Sequence, residues 1–237
     1  MAVDPIHRSQ LALRRAGNLL RRAGALPEER YRHETLEGES LQRFYAHGER
    51  QLQTIIADIE AHTGASIEGR RVLDFGCGLG RIALPLAQRC EFVYGVDLLP
   101  GELAAADRAA RERGLTNVQW LESTRLSELA GRYDLAISYW VFQHIPTREG
   151  ERLLAEIVDG LAPGGLAALH FLVRTESALG LARRPNLRNI YAAVQSYSLN
   201  RLGSVLAEAG VRDWHVTWYG GRPHADATLF FRKPDAA

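Results

Sequence analysis

One stretch constrains this chain more than any other. Val72-Leu-Asp-Phe-Gly-Cys-Gly-Leu-Gly-Arg81 starts apolar and ends in alternating glycines. Phe92-Val-Tyr-Gly-Val-Asp97 follows at a short remove. Together they read as a buried strand, a glycine turn, a helix and a second strand ending in an acid. Glycines let a ligand approach the backbone with no Cβ in the way. A carboxylate at the end of the second strand can accept hydrogen bonds from both hydroxyls of a ribose. The segment therefore predicts a pocket for a ribose-bearing cofactor.

A dinucleotide fingerprint needs Gly-x-Gly-x-x-Gly. Counted from Gly76 and Gly78, its third glycine falls at position 81, which is Arg81. The pattern here is instead Gly76, Gly78 and Gly80, with Asp74 two residues before the first glycine. In this the chain resembles the class I S-adenosylmethionine-dependent methyltransferases, whose first motif is an acid followed by Gly-x-Gly-x-Gly. Tyr133-Asp-Leu-Ala-Ile-Ser138 matches that family's fourth-strand motif. Leu161-Ala-Pro-Gly-Gly165 matches its turn before the fifth strand. The resemblance covers residues 70–175 closely and the rest by order of elements. It implies that S-adenosyl-L-methionine is the cofactor and that Asp97 meets its ribose. It also implies methyl transfer to an O, N or C atom of a small-molecule acceptor. The alternatives are a nicotinamide-dependent oxidoreductase, disfavoured by Arg81, and a non-catalytic cofactor-binding partner subunit.

Alternation continues along the chain. Strands are expected at 71–75, 92–97, 118–121, 133–138 and 166–173, and helices at 81–89, 101–113, 148–161 and 198–209. This order implies a doubly covered, mostly parallel sheet, an α/β fold. Residues 211–219 and 227–231 read as strands joined by a loop short enough for an antiparallel pair. The resemblance implies seven strands, the last antiparallel and inserted into the sheet.

Upstream, an amphipathic helix over 9–24 reads as a surface helix. Leu52, Ile55, Ile56 and Ile59 have i, i+3, i+4, i+7 spacing, so a helix ending before Gly64 should pack on the sheet. Gly48 reads as a break, which would set Phe44, Tyr45 and His47 over the pocket mouth. The expected division is an N-terminal helical cap or lid over 1–66 and an S-adenosylmethionine-binding methyltransferase domain over 67–237.

Open parallel sheets bind ligands beyond the carboxyl ends of their strands, where strand order reverses. The expected cofactor contacts there are Asp74, Gly76, Cys77, Gly78, Gly80, Arg81, Asp97, Leu98, Ser123, Thr124, Tyr139 and Trp140. The family commonly presents an Asp to adenine after strand three; here Glu122-Ser-Thr124 stands in its place. Arg81 reads either as a partner for the cofactor carboxylate or as an exposed surface residue. Tyr139 and Trp140 would flank the methyl-donor moiety. His144 is the candidate catalytic base, since an imidazole titrates near neutral pH; it can instead order the turn before Pro146. His224 is a loop residue that could face substrate.

Net charge is +1, which gives no bulk electrostatic case for nucleic acid. Cys77 and Cys90, the only cysteines, make no disulfide scaffold and lack metal-ligand spacing. Reduced thiols fit a cytoplasmic protein. No apolar run approaches the roughly 20 residues that span a bilayer, and the N-terminus lacks a signal-peptide core. Asp213, His215, His224 and Asp226 match no tight metal-ligand set, so no metal is expected.

Overall fold

The computed structural model describes residues 36–174, 195–219 and 224–236. A long helix, α1 (Gly38–Thr63), precedes the first strand, β1 (Arg71–Phe75). Then come α2 (Ala83–Ala87), β2 (Phe92–Asp97), α3 (Pro100–Glu112) and β3 (Val118–Glu122). The return leg is β4 (Tyr133–Ser138), α4 (Thr147–Gly160) and β5 (Leu161–Arg174). Helix α5 (Leu199–Glu208) leads into β6 (Trp214–Tyr219) and β7 (His224–Arg232).

The seven strands form one sheet in the order β3-β2-β1-β4-β5-β7-β6. β1 pairs in parallel with β2 on one side and β4 on the other. The chain thus moves outward through β2 and β3, then crosses back, and the reversal lies between β1 and β4. β7 runs antiparallel between β5 and β6. The expected α/β architecture, with its inserted antiparallel last strand, is the observed one.

Side-chain alternation splits the core in two. On one face Val72, Leu135, Ile137, Ala168 and Phe230 meet Leu52, Ile55 and Ile59 of α1. On the other, Leu73, Leu169 and Phe171 meet Leu153, Leu154 and Ile157 of α4 and Leu202 and Leu206 of α5. Burying each such aliphatic side chain contributes about 1.5–3 kcal/mol, so Leu52, Ile55 and Ile59 all help hold α1 on the sheet.

Three local readings need correction. Gly48 does not break α1, which runs unbroken through it. A Cβ there would fall 2.2 Å from the Arg81 carbonyl oxygen, so this glycine permits close approach of helix to turn. β5 starts at Leu161, not Leu166, because Leu161 already pairs with Tyr133 and a register shift absorbs the Pro163–Gly165 turn. β7 starts at His224, not Ala227, because its pairing with β5 extends to Arg174. The helix read over 9–24 and most of the segment after β5 lie outside the described residues. After β5, Tyr197 bridges Val173 in parallel. Its N–H donates to the Leu172 carbonyl and its own carbonyl accepts from Arg174 N–H, at 2.8 and 2.9 Å.

Candidate cofactor and acceptor site

The glycine turn hangs from β2. Gly76 and Cys77 N–H both donate to the Val96 carbonyl, at 2.7 and 3.1 Å, and Gly80 N–H donates to Cys77 at 2.9 Å. Gly76, Gly78 and Gly80 all have positive φ. A Cβ on Gly76 would lie 2.3 Å from Val141 Cγ2, so the turn is packed beneath the segment that follows β4. Asp97 closes the other side. One carboxylate oxygen accepts from Gly78 N–H at 2.9 Å, and the other from Leu99 N–H at 3.0 Å. Cys77 contributes its backbone to this turn. Its side chain is buried in the core under α1. Burial, then the nearby Asp74 and Asp97 charges, push the thiol far above its usual range, and a thiol held protonated is not a nucleophile.

Asp74, the last but one residue of β1, is 3% exposed. Its Oδ2 has no hydrogen-bond partner among the described residues. Burial pushes its carboxyl up to about 7; the Arg81 charge opposes this, Asp97 adds to it, and a bond from Ala83 N–H opposes it. A buried acceptor left unpaired costs about 1–3 kcal/mol, more when charged. The site is therefore short of one donor, and a cationic donor would suit it best.

Arg81 is neither on the open surface nor facing an empty mouth. Its guanidinium bonds Gln51 and lies 3.2 Å from His47 Nδ1, with the Phe44 ring 5.7 Å away. Desolvation lowers its pKa, opposed by Asp74. Tyr45 Oη donates to the Leu79 carbonyl at 3.2 Å. Phe44, Tyr45 and His47 thus fasten α1 to the glycine turn.

The register Asp97↔Glu122 sets Leu98 beside Ser123 past the ends of β2 and β3. Leu98 and Ser123 are half-buried; Glu122 and Thr124 are exposed. Beyond β4, Ser138 Oγ donates to the Phe75 carbonyl at 2.9 Å and locks β4 to β1. Tyr139 is half-buried, its phenol pushed up by desolvation against a hydrogen bond with Gln51. Trp140 is 43% exposed at φ 63°, the one positive φ on a non-glycine residue among those described.

His144 is exposed and ends a short turn, Phe142–His144. Its N–H donates to the Val141 carbonyl at 2.9 Å. The buried Tyr197 hydroxyl is shared between the Phe142 and Ile145 carbonyls, at 3.0 and 2.9 Å. The turn before Pro146 therefore has an anchor apart from the His144 imidazole.

Sequence reasoning missed His170. It lies in β5 at 1% exposure, with Nε2 3.2 Å from Asp226 Oδ1 on β7. The Trp140 indole stacks on it at 4.9 Å and 29°, and the Tyr139 ring lies 5.0 Å away. Its Nδ1 has no partner among the described residues. The signal was available: a lone imidazole in the apolar run Leu166-Ala-Ala-Leu-His-Phe-Leu-Val173 needs a partner to be buried there.

Comparison with known proteins sets this geometry in context. A family model described as a methyltransferase domain matches residues 72–165. The ubiquinone biosynthesis O-methyltransferase of Rickettsia akari is 31% identical over 133 residues, 55% of this chain and 51% of that protein. The magnesium-protoporphyrin O-methyltransferase of Synechocystis sp. is 32% identical over 95 residues, 40% of this chain and 41% of that one. The chain spans about half the length of the curated relatives it matches. Among solved structures, magnesium protoporphyrin IX methyltransferase from Synechocystis with bound SAM has a TM-score of 0.62 at 20% identity, over 98% of both chains. The [4+2]-cyclase SpnF has a TM-score of 0.60 at 21% identity, over 79% of this chain and 82% of that one. At such identities the likeness is one of fold, and folds host varied chemistry. The glycine turn and the sheet order are those that the resemblance to the class I S-adenosylmethionine-dependent methyltransferases implies, and the methyltransferase-domain match spans residues 72–165.

Proposed function

We propose that this protein transfers the methyl group of S-adenosyl-L-methionine to a small-molecule acceptor. The observation that carries this reading is the buried, unpartnered Asp74 Oδ2 beside the Gly78–Asp97 contact. Asp74 would accept from the ammonium of the cofactor's methionyl part. Asp97 would hold the ribose hydroxyls, as an acid at the end of the second strand does in ribose sites, with its two oxygens oriented by the Gly78 and Leu99 N–H groups. Gly76, Cys77, Gly78 and Gly80 offer backbone, and Leu98, Ser123 and Thr124 form the adenine side. Arg81 acts by holding α1 against the turn. Tyr139 and Trp140 flank the donor.

The bound cofactor supplies a methyl group already activated by its sulfonium. The protein's task is then to align the acceptor and exclude water, which can supply roughly 7–11 kcal/mol of the barrier. We read His144, exposed at the rim, as a catalytic residue that would touch the acceptor. The names of the relatives, O-methyltransferases both, support oxygen as the acceptor atom. We read residues 1–66 as a cap over residues 67–237, the acceptor as a small molecule and not a nucleic acid, and the protein as cytoplasmic. No helix among the described residues is long and apolar enough to cross a membrane.

Calorimetry with S-adenosylmethionine, S-adenosylhomocysteine and NAD tests the reading. The first two should bind and NAD should not. NAD binding without S-adenosylhomocysteine binding overturns it and restores the oxidoreductase alternative.

A further inference from the structure

From the geometry around His170 we infer that this residue, held by Asp226 and covered by Trp140, is the proton acceptor for a flat acceptor molecule bearing an acidic O–H. The inference rests on the methyltransferase reading and adds a substrate class and a base to it.

His170, Tyr139 and Asp226 share the sheet face that carries Asp74. Val72, Ile137, Ala168 and Phe230, two residues from Asp74, Tyr139, His170 and nearby Thr228, all pack toward α1. Strand alternation therefore brings these polar groups to the same side. His170 is one residue past Leu169, which pairs with Ser138 at the end of β4. It thus stands level with the crevice, across the β1–β4 reversal from the glycine turn.

The contact with Asp226 sets the ring's tautomer. Nε2 faces a carboxylate oxygen at 3.2 Å, and two acceptors do not share such a contact, so Nε2 carries the proton. In the neutral ring Nδ1 is then an acceptor. That nitrogen is buried without a partner among the described residues, and a hydroxyl from outside would complete it. Asp226 is 32% exposed on its side chain, and its carboxylate faces the ring nitrogen that an imidazolium would keep protonated. Trp140 defines the shape of what enters. Its indole lies flat on the imidazole, half open to solvent, on a backbone that L-residues seldom adopt. An acceptor that packs against the open part of the indole would be flat, since flat rings gain most from that face.

The step balances. The acceptor's O–H proton passes to His170 Nδ1 as its oxygen bonds the methyl carbon. The C–S electron pair stays on sulfur, and the imidazolium later releases its proton to water.

Phenol and toluene are the probes, titrated by ligand-detected NMR into the full chain saturated with S-adenosylhomocysteine. They share a ring and differ in the O–H. Wild type should prefer phenol at least tenfold. His170→Phe keeps a ring but loses the acceptor nitrogen, and should bring the two within twofold while S-adenosylhomocysteine affinity is unchanged. Asp226→Asn can present its amide to Nε2 and reverse the tautomer; it should shrink the preference likewise, and decides the matter if His170→Phe fails to fold. Trp140→Ala should weaken both probes alike. No phenol binding, or a preference that survives in the folded His170 and Asp226 variants, overturns the assignment. Failure of S-adenosylhomocysteine to bind would instead strike the cofactor reading, and the same phenol-to-toluene ratio measured without it still judges His170.

Discussion

The Gly78 amide and the Asp97 carboxylate face each other at 2.9 Å, so the acid at the end of β2 fixes the glycine turn beyond β1. One side chain thereby serves both the turn and the proposed ribose site. Asp97→Ala should lose on both counts. Charge-assisted bonds are worth roughly 1.5–3 kcal/mol each, so S-adenosylhomocysteine affinity should fall at least tenfold by calorimetry. The melting temperature should fall as well. An unchanged dissociation constant would place the ribose elsewhere.

Asp74 makes the protein sensitive to pH. Its carboxyl lies near 7 in the folded chain, against 3.8 for the free group, chiefly through burial. The folded state therefore holds a proton that the unfolded state has released between those values. This contribution to stability is complete below pH 3.8 and is lost as pH rises toward 7. Asp74→Asn should flatten that part of a melting-temperature profile. Cofactor affinity should run the other way. A cationic ligand group prefers the ionised carboxylate, so S-adenosylhomocysteine should bind more tightly from pH 6 to 8 in wild type, by several-fold. The Asn variant should show no such rise. A parallel rise in both proteins would remove Asp74 from the ligand's surroundings.

Gly76→Ala should destabilise the fold by about 2–4 kcal/mol, from the positive φ and from overlap with Val141. Val141→Ala should rescue the overlap with the two γ-methyl groups and leave the 2.9 Å approach to Cβ and the backbone part. Denaturant unfolding of the two single variants and the double variant separates them. Strict additivity would show that the turn does not press on Val141.

His144→Asn tests the rim. Tyr197 holds the turn, so folding and S-adenosylhomocysteine affinity should match wild type. With an acceptor identified, turnover measured as S-adenosylhomocysteine release should drop less than tenfold. A loss of about 10²–10⁴ would be that of a general base, and would transfer that role from His170 to His144.

Much of this was legible in the chain. The apolar runs of β1, β2 and β4 are short, and their limits appear as read. Periodicity found Leu52, Ile55 and Ile59, which all reach the core. What stayed hidden depends on neighbours distant in sequence. Gly48 looks like a helix breaker until Arg81 is set against it. Arg81 looks like surface until Gln51, His47 and Phe44 arrive from α1. His170 acquires a partner only when β7 is inserted beside β5, bringing Asp226 across from 56 positions away. Local rules report on a residue's own element, and these three get their roles from another.

The bridge between Val173 and Tyr197 has a wider consequence. Gln195 N–H also donates to the Gln143 carbonyl at 2.7 Å. The chain leaves β5 and returns at one place, and the return point itself props the His144 turn. Arg174 and Tyr197 are thus pinned to each other, and Tyr197 to the turn before Pro146, so the sheet itself carries the support of the crevice rim.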